Sequence, residues 1–259
     1  MDKGGIGHVE IVLASILFIS AMVFILAFVD VENDTDAGEA ALALVTSLFQ
    51  KQSETEVVSY SVLIKKTTGD PPITTPNIIN IELPDDIRSE QDIRVEALVE
   101  GNRKKIPSQK NPTNPRQIAV DRGSDEITLI YIFLSEEIEA VPSTLSVPAH
   151  EPDYYRVLSR SENKILAETK VQALKDSYES DYLALRQSLG LGERINFGIM
   201  VTWFNPEIEN PQTQAPMQDF IKADRDIPAR VDVTAQNVRQ ELLLQDGQRV
   251  FADITIKTW

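Results

Sequence analysis

From Ile11 to Val29 the chain reads IVLASILFISAMVFILAFV, nineteen residues without a charge. A helix over that run extends roughly 28 Å at about 1.5 Å per residue, close to the hydrocarbon thickness of a bilayer. The pattern predicts a transmembrane helix and a single crossing, because no second stretch reaches that length. Lys3 and the terminal amine precede the run, whereas residues 30–56 carry seven acids against Lys51 alone. This asymmetry predicts a cytoplasmic N-terminus and an extracytoplasmic C-terminal region at the cell membrane, with the lipid bilayer as a partner. The run passes directly into Asp30-Val31-Glu32 and not into a small-residue cleavage site, so the helix is expected to remain on the protein.

Charge and composition remove several functional classes. With 25 Lys+Arg against 40 Asp+Glu the formal charge is −15, and such a chain repels phosphate backbones, so nucleic acid is not an expected partner. Cysteine is absent, which excludes disulfides, thiolate metal sites and cysteine nucleophiles. The two histidines, His8 and His150, are far apart in sequence, and no histidine-rich metal site can be built from them.

The residues before the apolar run are Lys3-Gly4-Gly5-Ile6-Gly7-His8-Val9-Glu10. A cut after Gly5 leaves Ile6 first and Glu10 fifth, directly before the apolar helix. This arrangement resembles the type IV prepilin signal, in particular the short-leader class III form of archaeal pilin-like proteins. The resemblance is confined to about residues 3–29. It implies processing between Gly5 and Ile6 by a prepilin-type peptidase, a role for Glu10 in assembly, and other pilin-like subunits as partners. A carboxylate at the edge of a lipid-embedded helix is costly unless paired, which gives Glu10 independent weight.

Beyond the span, Ala41, Leu44, Val45, Leu48 and Phe49 recur at helical spacing and predict an amphipathic helix to about Gln52. Strands are expected at Val57–Ile64, Ile78–Leu83, Ile93–Val99 and Ile127–Leu134, forming one antiparallel sheet. Gly101–Gln117 contains Pro107, Pro112 and Pro115 and reads as a loop. Its basic residues Arg103, Lys104, Lys105, Lys110 and Arg116, with no acid among them, mark it as a docking loop for an acidic neighbour or an anionic polymer. Short strands at Tyr154–Leu158 and Ile165–Ala167 are expected around a turn at Ser161-Glu162-Asn163-Lys164. A long amphipathic helix follows, from Ala167 through Tyr178 and Tyr182 to Leu189, stopped by Gly190 and Gly192. Ile195–Phe204 reads as a strand, Asn205–Pro216 as a loop, and Val238–Leu244 with Arg249–Thr258 as a hairpin around Gln245-Asp246-Gly247-Gln248.

The expected fold class is α+β: an N-terminal transmembrane helix continuing into an amphipathic helix, then an antiparallel-sheet extracytoplasmic region with a second long helix. The expected divisions are a leader (1–5), a span (6–29), a stalk helix (30–56), a β-rich part (57–141) and an α+β part (154–259). Asn33-Asp34-Thr35 is a glycosylation sequon, which makes Asn33 a candidate acceptor. The acids at 30–36 fail the EF-hand template at Thr35 and Ala41, and no metal or other cofactor is expected. Asp85-Asp86, Asp125-Glu126 and Glu136-Glu137 are the carboxylate pairs that a glycosidase would need, but adjacent residues of a strand face opposite ways. No catalytic residue is assigned. The expected function is a membrane-anchored pilin-like surface protein, a subunit or minor component of a type IV filament or related secretion assembly. The alternative is a stand-alone signal-anchored extracytoplasmic binding domain that does not polymerise.

Overall fold

The computed structural model describes residues 37–64, 78–99, 102–121, 129–139, 145, 155–209 and 216–259. Helix α1 (residues 37–53) leads without a loop into strand β1 (Glu54–Ile64). Strands β2 (Ile78–Glu82), β3 (Asp92–Val99), β4 (Asn102–Ile106), β5 (Ser108–Lys110), β6 (Gln117–Asp121), β7 (Leu129–Ser135) and β8 (Tyr155–Ala167) follow. Helices α2 (Glu168–Ser180) and α3 (Tyr182–Ser188) come next, then strands β9 (Phe197–Glu209), β10 (Pro216–Ala223), β11 (Thr234–Leu243) and β12 (Arg249–Thr258).

Among the described residues nine strands form one sheet in the order β10-β9-β12-β11-β8-β1-β7-β3-β4, and β2-β6-β5 form a second. Every pairing is antiparallel except β11 with β8, which is parallel and joins only Leu242 to Leu166 and Leu243 to Ala167. The large sheet is therefore two antiparallel blocks that touch at one short seam. Strand alternation gives each block one heavily buried face. On the β9–β12 block that face carries Ile199, Val201, Trp203, Ile254 and Ile256, and it packs with Leu42, Val45 and Phe49 of α1 and with Val171, Leu174, Tyr178 and Leu185 of α2 and α3. On the other block Val58, Tyr60, Val62, Ile130 and Ile132 pack with Ile79, Ile81, Ile118 and Val120 of the small sheet.

These observations correct the expected fold class. The described chain is 52% strand and 21% helix, and a nine-stranded sheet dominates it, so it is not a helix-led α+β fold. The cell-membrane, single-pass expectation is corrected as well: among the described residues no helix is long and apolar enough to cross a membrane. Helix α1 buries a single stripe and leaves Glu39, Lys51 and Gln52 exposed or half-exposed, which suits a helix lying on a sheet. The run Ile11–Val29, on which the anchor expectation rests, lies outside the described residues.

Several local expectations change for identifiable reasons. Within α1 the buried stripe is Leu42, Val45 and Phe49, while Leu44 is 42% exposed. Strand β2 belongs to the small sheet, not to the large one. The supposed loop 101–117 contains β4 and β5, because Pro107 falls between the strands and Pro112 and Pro115 fall in the turn after them. Asn111 and Asn114 shape that turn, accepting from the backbone N–H groups of Thr113 and Arg116 at 3.0 Å each. The supposed turn Ser161–Lys164 is the middle of β8, paired along β1. The long second helix breaks at Asp181, whose side chain accepts from the Ala184 N–H at 3.0 Å and caps α3. Gly190, with φ of +68°, ends α3 as expected.

The tip of the β11–β12 hairpin holds the two blocks together. Arg94 of β3, 3% exposed, donates from Nε to Glu96 at 2.7 Å and from Nη1 to the Asp246 carboxylate at 2.5 Å and the Asp246 carbonyl at 3.0 Å. The Glu139 N–H donates to the Gln245 carbonyl at 2.7 Å, and the Gln245 N–H donates to the Glu168 carboxylate at 3.0 Å. Gly247 has φ of +84°, and a Cβ there would lie 2.9 Å from the Cβ of Arg94. Gly247→Ala is therefore expected to lower the unfolding free energy by about 2–4 kcal/mol, from a left-handed backbone and an overpacked contact together. Thermal denaturation checks this, and an unchanged transition would show that the tip relaxes freely.

Burial pushes the Glu168 carboxyl above the ordinary carboxylate range; the Gln245 N–H opposes the shift, and the charges of Asp219 and Asp246 add to it. The folded state thus holds this proton to higher pH than the unfolded chain, so ionising Glu168 costs stability as pH rises. Glu168→Gln is expected to gain stability relative to the wild type as pH climbs from about 4 to 7, read as the difference in melting temperature across that window. A pH-independent difference would remove this assignment.

Candidate interaction surface

The faces opposite the two cores are largely open. On the β10-β9-β12 part of the sheet, alternation places Thr202 and Phe204, Phe220 and Lys222, and Phe251, Asp253 and Thr255 on the side away from the helices. Phe204, Phe220 and Phe251 are 63%, 62% and 63% exposed. Phe220 pairs with Thr202, two residues before Phe204 on the same strand. Phe251 and Phe204 directly follow the Ala252–Trp203 pair on neighbouring strands. Alternation thus places the three exposed rings on the same side of three neighbouring strands. The Arg239 guanidinium lies 5.4 Å from the Phe251 ring. Buried aromatic rings stabilise a core, whereas clustered exposed ones mark a contact surface.

A different kind of recess lies on the covered side, where the helix layer and the small sheet leave a gap. This cleft of about 450 Å³ is lined by Lys51, Glu54, Glu56, Arg88, Glu136 and Lys170, among others. Its charges mostly satisfy one another. Arg88 reaches Glu56 at 2.9 Å and Glu136 at 3.5 Å, and Lys170 reaches the Glu54 carbonyl at 2.8 Å and Glu137 at 3.5 Å. The adjacent carboxylates are also drawn to separate partners. Asp85 takes the Tyr60 hydroxyl at 2.9 Å and Arg160 at 2.7 Å, while Asp86 lies 3.9 Å from Arg116. Burial raises the pKa of Tyr60, and that of Tyr178, whose hydroxyl donates to the Phe197 carbonyl at 2.6 Å. Tyr178, Tyr182 and Phe197 stack edge-on or tilted within the core, with ring centroids 4.8 to 5.7 Å apart.

Gly5, Ile6, Glu10 and Asn33 lie outside the described residues, as do Asp125-Glu126 and both histidines. The five basic docking-loop residues are described, and the fold separates them. Arg116 clamps the small sheet to the chain before it, donating to the Leu83 carbonyl at 3.1 Å and the Pro84 carbonyl at 2.7 Å. Lys110 donates to the Gln91 carbonyl at 2.5 Å and pairs with Asp92 at 2.9 Å. Arg103 covers the Tyr131 ring at 4.7 Å and lies 3.9 Å from Glu96. Lys104 and Lys105 are exposed on β4, at the end of the strand order, where charged side chains discourage edge-to-edge pairing. The aromatic cluster escapes a reading by alternation because β9 carries aromatic residues on both faces, at Trp203 and Phe204. The available signal is Phe251, an apolar residue on the otherwise polar face of the hairpin.

The division of labour among the basic residues can be measured. Arg116→Ala is expected to cost about 1–2 kcal/mol by stranding two carbonyls, whereas Lys105→Ala should stay within about 0.5 kcal/mol of the wild type. Equal effects in chemical denaturation would contradict this assignment. None of the protein-family models, curated proteins or solved structures compared with this chain matches it.

Proposed function

We propose that the chain is a structural and interaction protein, a subunit of a multi-protein assembly, and that it works by binding and not by catalysis. The observation that carries this reading is the open sheet face with Phe204, Phe220 and Phe251 all exposed beyond 60%. Three exposed rings on one sheet face supply the apolar anchor that interfaces concentrate at their centres. The polar residues around them, among them Thr202, Lys222 and Asp253, supply a rim. The resemblance at residues 3–10 supplies the class of assembly, a pilin-like filament or secretion assembly in which Gly5 and Ile6 flank the processing point and Glu10 serves subunit contacts.

The test is co-purification from the native host after crosslinking, with the wild type compared with a Phe204→Ser/Phe220→Ser/Phe251→Ser variant. The variant should keep its melting transition within a few degrees, because all three side chains are exposed, and should lose most of its crosslinked partners. Retention of every partner by the folded variant would overturn the reading.

A further inference from the structure

We propose that the wedge between β8 and β11 is a strand-addition site that accepts an extended, acidic segment of a partner polypeptide. The two strands meet only at Leu242–Leu166 and Leu243–Ala167. On its other side β8 is paired along its length with β1, and β11 with β12 from Thr234 to Leu243. Among the described residues, the edge of β8 over 155–165 and the edge of β11 over 234–241 therefore face each other with no strand between them. Each edge presents backbone donors and acceptors at the strand repeat, and only another extended backbone matches that spacing. At the apex a recess of about 350 Å³ is lined by Glu54, Asn163, Lys164, Ile165, Gln240 and Glu241.

Charge selects the occupant. The two edges carry Arg156, Arg160, Lys164 and Arg239 against Glu162 and Glu241, with Arg160 itself held by Asp85 at 2.7 Å. Both carboxylates are engaged, Glu162 by Arg160 at 3.2 Å and Glu241 by Arg249 at 2.6 Å. Arg156 and Lys164 are exposed and have no carboxylate partner among the described residues. A basic edge on a chain of charge −15 attracts an acidic strand and repels the same edge of another copy, which removes self-pairing through β8. Leu158, the extra residue where the β1–β8 register shifts, is 50% exposed and gives the strand one apolar contact. The two surfaces share Arg239, which lies against Phe251, so the charge-reversal test is placed on β8, away from the aromatic face.

The experiment uses the full chain and two labelled peptides of about ten residues, one alternating Glu with Val or Thr and the other carrying Lys in place of Glu. Fluorescence anisotropy should show saturable binding of the acidic peptide and binding of the Lys peptide at least about tenfold weaker. Hydrogen exchange should slow at residues 155–164 or 234–241 on binding. Arg156→Glu/Lys164→Glu should weaken the acidic peptide by about tenfold or more, whereas the triple Phe→Ser variant should bind it as the wild type does. Absence of saturable binding, binding without slowed exchange in either segment, or indifference to the charge reversal would overturn the proposal. Because the triple Phe→Ser variant enters both experiments, failure of the strand site and failure of the aromatic face are read separately.

Discussion

The two blocks of the large sheet share only two ladder pairs among the described residues, and one buried guanidinium ties them at the hairpin tip. Arg94 stands on β3 in one block and grips the Asp246 carboxylate and carbonyl in the other, while Glu96 balances the remaining charge. A buried cation is tolerated only when its donors are matched, and here one partner, Glu96, is two residues away while the other, Asp246, is 152 positions away in sequence. The close fit of Gly247 against Arg94 and Ile138 follows from the same requirement, since the turn must come near enough for its carbonyl to be reached. Where Leu243 crosses the seam it joins Val57, Phe133 and Ile165 in a small apolar cluster beneath this polar contact. The joint is thus a hydrogen-bonded cap over a few apolar side chains.

Apart from the small cluster at the seam, the face of the sheet opposite the two main cores is open, and the two blocks dispose of it differently. On β1 and β8 the open side carries serines in cross-strand pairs, Ser59 with Ser161 at 2.7 Å and Ser61 with Ser159 at 3.0 Å. Such hydroxyl pairs suit a face that meets water. On β9, β10 and β12 the same side carries phenylalanines. Burial of the opposite face does not explain those rings, because the helices already cover Trp203, Val201 and Ile254 there. The contrast between the serine and phenylalanine regions of one continuous sheet is the feature on which the proposed binding face rests.

How far the sequence discloses this arrangement depends on whether a local rule or a distant partner decides each element. The β11–β12 hairpin is legible because Asp246-Gly247 is a turn signal, and Ala252, Ile254 and Ile256 alternate cleanly with more exposed residues. Helix α1 is legible as a helix, yet its buried stripe is fixed by the sheet it meets, and Leu44 shows that periodicity alone misplaces the boundary. Strand β8 is illegible for the opposite reason: its middle is polar on both faces, so Ser161 to Lys164 resembles a turn until β1 is seen beside it. Strands β4 and β5 hide behind prolines that punctuate them without entering them. The basic residues between 103 and 116 form a run in sequence but not in space, since Arg116 and Lys110 turn inward to backbone carbonyls.

The two-pair seam between β8 and β11 also governs how the molecule responds to load. Ladder bonds that are many and parallel to one another share a shearing force, but here the ladder pairs joining the blocks among the described residues are those at Leu242 and Leu243, backed by the grip on Arg94, the bonds of Gln245 to Glu139 and Glu168, and the packing of α1 and α2 on the β9–β12 face. The antiparallel ladders on either side, β1 with β8 and β11 with β12, are far longer. Because α1 is continuous with β1 and α2 with β8, while both pack on the β9–β12 face, the core of that block spans the seam. Load between the blocks is therefore carried by helix packing on the β9–β12 face more than by the ladder of the sheet itself.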